Sequence, residues 1–243
     1  MLRATVKSLL ARKLRLALSA FAIVLGVAFV AGSYVFTDTI DQTFEEIFAE
    51  TTADIVVRPA QSGAGNLDFT GGDARTIEPA VLDDIAAVDG VDRVDGYVDT
   101  QSMFVVGANG TVVGGNGPPG IGTNWTDAPA QDGSVPLRLA QGREPRGAED
   151  VVLDVKTADQ AGYQVGDSVT LITPGDPPQV TATMVGTAEF GGGASLAGAT
   201  LALFDTETAQ GLILGGENAY TSVAVTASDD ADVAPLRDRI EEV

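Results

Sequence analysis

"GREPRGAEDVVLDVKTADQAGYQVGDSVTLI" occupies residues 142–172 and changes its local grammar twice. "EDVVLD" (149–154) is a short, valine-rich run that predicts a strand, and "DSVTLIT" (167–173) predicts a second. Between them, Val155 to Ala161 predicts a short helix ending at Gly162, because glycine adopts the left-handed conformation after a last helical turn at little cost. Strand, helix, strand within so short a span points to an α+β fold.

The same grammar continues on both sides. Downstream, "PGDPP" (174–178) supplies a tight turn, and "QVTATMVGTAEF" (179–190) and "ATLALF" (199–204) predict strands. Asp205 caps an expected helix through about Leu212, and "AYTSVAVTA" (219–227) predicts a strand after the Gly215-Gly216 turn. A last helix is expected from near Asp232, with Pro235 in its first turn and Val233, Leu236, Ile240 and Val243 along one face. That pattern still runs at Val243 with no cap, so a truncated sequence is expected. Upstream, "ADIVVRPA" (53–60) predicts a strand stopped by Pro59, and "GAGNLDFTGGDA" (63–74) a loop. A helix is expected over Pro79–Val88, with Val81, Leu82, Ile85 and Val88 on its buried face, and then a strand over "VDRVDGYV" (91–98). "QSMFVVGANGTVVGG" (101–115) predicts a hairpin through Asn109-Gly110, and 116–136, rich in Gly and Pro, an irregular excursion around Trp125.

The N-terminus has a different character. Leu16 to Phe36 holds no charge and no proline, spanning roughly 31 Å as a helix against a hydrocarbon core of about 30 Å. Arg3, Lys7, Arg12, Lys13 and Arg15 precede it, and the first acid is Asp38. Positive flanks hold their end in the cytoplasm, so this reads as a membrane span with the N-terminus inside and residues 38–243 outside. A cleaved signal peptide would have a shorter apolar core of about 7 to 15 residues and an A-x-A-like site, whereas Val30, Ala31 and Gly32 offer only a marginal one. "TDTIDQTFEEIFAE" (37–50) has helical spacing and predicts a stalk.

Composition removes several functions. The chain has 14 basic and 34 acidic residues, a net charge of −20, and neither cysteine nor histidine. Nine cations face all 34 acids after residue 15, so nucleic-acid binding is disfavoured. Disulfides, thiolate zinc sites and imidazole bases are excluded. Gly115, Gly117 and Gly120 spell G-x-G-x-x-G, but two prolines interrupt it and no helix is expected to follow. There is no P-loop, so nucleotide energy must come from a separate subunit. Asp89, Asp92 and Asp95 lack the alternate spacing of a calcium loop; Asp229, Asp230 and Asp232 read as a loop leading into a helix cap. Lys156, the only lysine outside the basic tail, reads as a helix-surface residue, and Asn109-Gly-Thr111 and Asn124-Trp-Thr126 match short glycosylation sequons. No enzyme signature, cofactor site or metal site is expected.

"LLARKLRLALSAFAIVLG" resembles the opening of MacB/FtsX-like ABC transporter permeases, whose first helix follows an R-K-x-R cluster. The segment 142–172 resembles their extracytoplasmic core domain, with Gly142, Arg143 and Pro145, then Glu149, then Gly162, Val165, Gly166 and Asp167 in the family's order. The resemblance implies a basic tail (1–15), a transmembrane helix (16–36), a stalk (37–52) and a porter-like α/β part. That part is split into 53–115 and 199–243 by a β-rich, sabre-like insertion (116–198). It further implies a separate cytoplasmic ABC ATPase that drives the membrane helices, a second copy or second permease half, a cell-membrane location, and handling of substrates on the outer side. Such permeases have at least four spans and this sequence shows one, so a permease fragment is expected. The competing expectation is a stand-alone, single-span surface binding protein without transport activity.

Overall fold

The computed structural model describes residues 21, 24–25, 53–59, 76–114, 118–190 and 198–243. Two compact units are distinguished, Met1–Phe48 and Ala49–Val243. In the first, only Phe21, Val24 and Leu25 are described; they are helical and exposed. The expected span, otherwise, and the expected stalk and tail lie outside the described residues. Among the described residues no helix is long and apolar enough to cross a membrane.

The second unit contains two sheets. The smaller is built from β1 (Ile55–Val57), β2 (Val91–Tyr97) and β11 (Ser222–Ala227), in the order β1-β11-β2 with both pairings antiparallel. β1 and β2 are therefore parallel, joined by helix α1 (Pro79–Ala86), with a strand from the far end of the sequence between them. This is a split β-α-β unit. Ile85 of α1, together with Leu236 and Ile240 of the last helix α4 (Val233–Ile240), packs on Ile55, Val223 and Val225. Both helices thus cover one face, and each fully buried aliphatic side chain contributes about 1.5–3 kcal/mol.

The larger sheet comprises β3 (Asp99–Thr100), β4 (Phe104–Val106), β5 (Gly120–Asn124), β6 (Leu137–Gly142), β7 (Asp150–Asp154), β8 (Ser168–Ile172), β9 (Gln179–Phe190) and β10 (Thr200–Phe204). The order β3-β5-β10-β7-β9-β8-β4 curls until the residues leading into β4 meet β5: Met103 N–H donates to the Gly120 carbonyl at 2.9 Å, and Ser102 bridges Gly120 in parallel. A six-strand ring from β5 round to β4 is closed in this way. Its inward positions alternate along the strands, Val151 and Leu153, Val169 and Leu171, Ala202 and Phe204, and fill the interior. Helices α2 (Val155–Ala161) and α3 (Thr206–Ile213) pack Ala158, Ala161 and Ala209 on the same cluster. The outward residues Val152, Val185, Leu201 and Leu203 form a second layer with Leu137 of β6.

Closure depends on two glycines. A Cβ at Gly120 would lie 2.0 Å from the Met103 carbonyl oxygen, and one at Gly122 would lie 2.6 Å from the Met103 sulfur. Here the sequence expectation is corrected: the expected irregular excursion contains β5, a glycine-bearing strand that only such residues allow where another chain crosses closely. β6 was likewise not anticipated. The Asn109-Gly110 turn forms as expected, with Gly110 N–H on the Gly107 carbonyl at 2.8 Å and Gly110 at φ +80°. α4 is shorter than its periodicity suggests and ends at Ile240, where Glu241 is the cap. Leu236 and Ile240 are buried, but Val233 and Val243 are exposed, the first beside the Asp232 cap and the second beyond the helix.

The hydrogen-bonded sheets do not divide at 115/116 and 198/199. β3 and β4, upstream of residue 116, and β10, downstream of 198, all belong to the larger sheet. Between β2 and β11 the chain leaves the small sheet after Tyr97 and re-enters it at Ser222.

Candidate functional site

The family-like motif residues converge on one segment, Thr183–Gly186 in the middle of β9. On one side, Arg143 N–H donates to the Val185 carbonyl at 3.0 Å, and Gly142 lies opposite Gly186. Gly142 has φ +78°, and a Cβ there would meet the Val185 carbonyl at 2.1 Å, so glycine is required twice over. Nearby, Thr183 N–H donates to the Glu149 carbonyl at 2.6 Å. Gly166 N–H reaches the Met184 carbonyl at 2.7 Å, while Met184 N–H reaches the Asp167 carbonyl at 2.8 Å. The pairing with β7 shifts between Val151 and Val152, so this is where β9 is irregular. Bonds from three separate motifs satisfy backbone groups that a regular ladder would otherwise pair. Gly162 caps α2 at φ +75° as expected, Pro145 is buried, and Val165 is exposed.

Arg143 also forks onto Asp150, Nη1 to Oδ2 at 2.6 Å and Nη2 to Oδ1 at 3.0 Å. Arg146 N–H adds a third bond to that carboxylate at 2.8 Å. The Arg143 guanidinium, helped by the Arg146 N–H, holds the Asp150 carboxyl below the usual range against the opposing effect of burial.

Two aspartates begin helices in the same manner. Asp154 accepts from Lys156 and Thr157 N–H at 3.1 and 3.0 Å and from the Thr157 hydroxyl; Asp205 accepts from Thr208 N–H at 3.1 Å and its hydroxyl at 2.6 Å. Both read D-x-x-T-A at the end of adjacent antiparallel strands. Each also reaches beyond its helix, Asp154 to Leu201 N–H at 3.1 Å and Asp205 to Gly147 N–H at 2.8 Å. Asp154, where β7 meets α2, therefore stands in for a ladder partner of β10. Burial alone would raise the Asp205 pKa, but the Thr208 and Gly147 bonds outweigh it and the net direction is down.

A third group joins the two sheets along β2. Asn124, 2 % exposed, accepts from Val98 N–H at 2.9 Å and donates to the Gly96 carbonyl at 3.0 Å and the Thr206 hydroxyl at 3.2 Å. Arg93 forks onto Asp95 and also bonds Asp127, in the segment after β5. Thr221 bonds Tyr97 and Asp99. Sequence reading passed over Asn124 except as a sequon; its burial and three bonds give it an internal role. The other sequon, at Asn109, is on the exposed turn.

The other candidates disperse. Asp95 is taken by Arg93, Asp232 caps α4 through Ala234 N–H, and Lys156 is exposed. Among the described residues no three carboxylates gather where a metal could sit. Gly120 of the G-x-G-x-x-G stretch opens a strand, and Gly115 and Gly117 lie outside the described residues.

The sites are thus scaffold joints in an α+β domain. A family model described as "MacB-like periplasmic core domain" matches residues 16–243, so the chain belongs to that family. Among solved structures it is similar to the periplasmic region of MacB from Actinobacillus actinomycetemcomitans, at 15 % identity and TM-score 0.48, covering 77 % of this chain and 79 % of that one. It is also similar to the extracellular domain of the ABC-type transporter YknZ from Gram-positive bacteria, at 13 % identity and TM-score 0.45, covering 71 % and 83 %. No curated protein matches.

Proposed function

We propose that this chain is part of an ABC transporter permease, whose extracytoplasmic domain, held by a membrane span at Leu16–Phe36, transmits motion driven by a separate cytoplasmic ATPase to substrates outside the membrane. The family match carries the reading because it runs from the apolar stretch through the whole folded unit. The basic residues Arg3 to Arg15 support an inside N-terminus, and the lack of a P-loop, His and Cys supports a motion-transmitting rather than catalytic role.

Two measurements on the full chain test this. Affinity purification from native membranes should recover an ABC ATPase; its repeated absence, with a defined soluble ligand recovered instead, would favour a stand-alone binding protein. Since the chain has no cysteine, Ser8→Cys and Ser134→Cys can report topology. An impermeant maleimide should label only the second in intact cells, and the reverse pattern would overturn the orientation.

A further inference from the structure

The helix α4 does more than cover its own sheet. Leu236 and Ile240 enter the core of the small sheet, while Val233, Ala234, Arg237, Ile240 and Glu241, spaced as residues on a single helical face, line one side of a groove of about 650 Å³. The other side of the groove is Asp54–Arg58, which contains β1. Val56 and Val233 expose 42 % and 40 % of their surface. Among the described residues β1 pairs with β11 on one side and with no strand on the other.

Sheet topology says what the groove receives. From β1 the chain passes through α1 to β2, a parallel strand two places along the sheet with β11 between them. Such crossovers are right-handed. From β11 the chain passes into α4, which covers the same face as α1. Because β11 runs opposite to β1, a crossover of the same hand over the same face moves in the opposite direction across the sheet. Two places from β11 in that direction is the outer edge of β1. The helix is set for this path. Asp54 is turned toward β11 and accepts from Ala227 N–H at 2.8 Å, so α4, which starts shortly after Ala227, begins at the Asp54 end of β1. Its last turn, with Ile240 and Glu241 on the groove, therefore points toward the Arg58 end.

We infer that the groove between β1 and α4 seats a fourth strand of the small sheet, supplied by the same polypeptide beyond α4 and running antiparallel to β1. The sheet then consists of two interlocked β-α-β units with both helices on one face. Alternate side chains of the added strand face α4 and are apolar, matching Val233 and Ala234. A strand in this direction ends beside the start of β1, so the chain enters and leaves the sheet as neighbours on one edge. The inference rests on the reading of a larger permease, which supplies chain beyond α4. It names the strand pair through which the membrane-borne segments connect to the small sheet.

The full-length gene product in membranes tests it. With helix-to-strand connections of about 2–6 residues and strands of about five, the added strand falls within about a dozen residues of Ile240. In a background otherwise free of cysteine, Val56→Cys is combined with single cysteines at successive positions after Val243. Facing Cα atoms in an antiparallel pair are about 4.5–5.5 Å apart, within disulfide range. Mild oxidation should therefore link Val56→Cys intramolecularly to alternate positions, at least about tenfold more than to the positions between them. Hydrogen exchange gives a second readout: the amides of Ile55–Val57 should exchange at least about tenfold more slowly in the full-length product than in the chain ending at Val243, with a smaller change in β7. Further membrane spans after Val243 together with no linking, or with linking at every third or fourth position, would overturn the inference and leave the permease reading standing. Equal exchange of Ile55–Val57 in the two proteins would do the same. A gene that stops at Val243 would overturn both.

Discussion

Gly96 and Tyr220 are in close contact: a Cβ on Gly96 would stand 2.3 Å from two carbons of the Tyr220 ring. Tyr220 packs against the apolar clusters of both sheets, so Gly96 is the gap in β2 through which one side chain joins two cores. Gly96→Ala should lower stability by about 1–3 kcal/mol through overpacking. Urea unfolding of Gly96→Ala, Tyr220→Leu and the double variant would show it, with the double less destabilised than the sum of the singles.

Asn124 makes the polar counterpart of that joint. Asn124→Ala orphans Val98 N–H and the Gly96 carbonyl, and each buried unsatisfied group costs about 1–3 kcal/mol. The Val98 amide should lose protection from hydrogen exchange before the amides of β7 do. Equal loss in both places would mean that Asn124 supports general stability and not the joint.

Ring closure makes a sharper test. Gly120→Ala should prevent the approach of Met103 and destabilise far more than Gly110→Ala, whose Cβ meets nothing within 4 Å. The latter carries only the backbone strain of φ +80°, about 1–2 kcal/mol. Thermal unfolding of the two variants side by side is sufficient.

Asp150 and Asp205 both have carboxyls held below their ordinary range, so their contribution is present above the unfolded value near 3.9 and is lost as pH falls through the lower folded values. The urea midpoint should therefore fall in acid below about pH 4. Arg143→Leu should flatten that fall, with its gap from the parent greatest near neutrality and closing as Asp150 protonates.

Tyr97 is displaced the opposite way. Burial, reinforced by the nearby Asp95 charge, pushes its phenol up to about 12. Among four tyrosines, one should ionise late in an ultraviolet titration and vanish from the curve in Tyr97→Phe. Stability from its neutral form should persist below the unfolded value near 10 and disappear as pH rises toward 12.

How much of this was legible in the sequence depended on whether the signal was local. The segment Asp150–Gly162 was legible as strand then helix, because its valines and terminal glycine act within one turn of chain, while the Asp154 cap emerged only with the fold. β5 was hidden, since its glycines answer to Met103, which a local window does not connect with them. The motif residues around 142–167 were visible as a pattern, but their convergence on Thr183–Gly186 is a property of the folded sheet. Asn124 was opaque for the same reason: all its partners come from other elements.

The exit and return of the chain at the small sheet have one more consequence. Thr221 N–H donates to the Tyr97 carbonyl at 2.8 Å and Ser222 lies opposite Tyr97, so the whole ring begins and ends on neighbouring rungs of one ladder. A hairpin loop of about two residues bridges such neighbours. The ring is thus delivered and taken back at a single rung of the small sheet, and Tyr220 and Asn124, packed and bonded onto that sheet, seal the joint where its two ends meet.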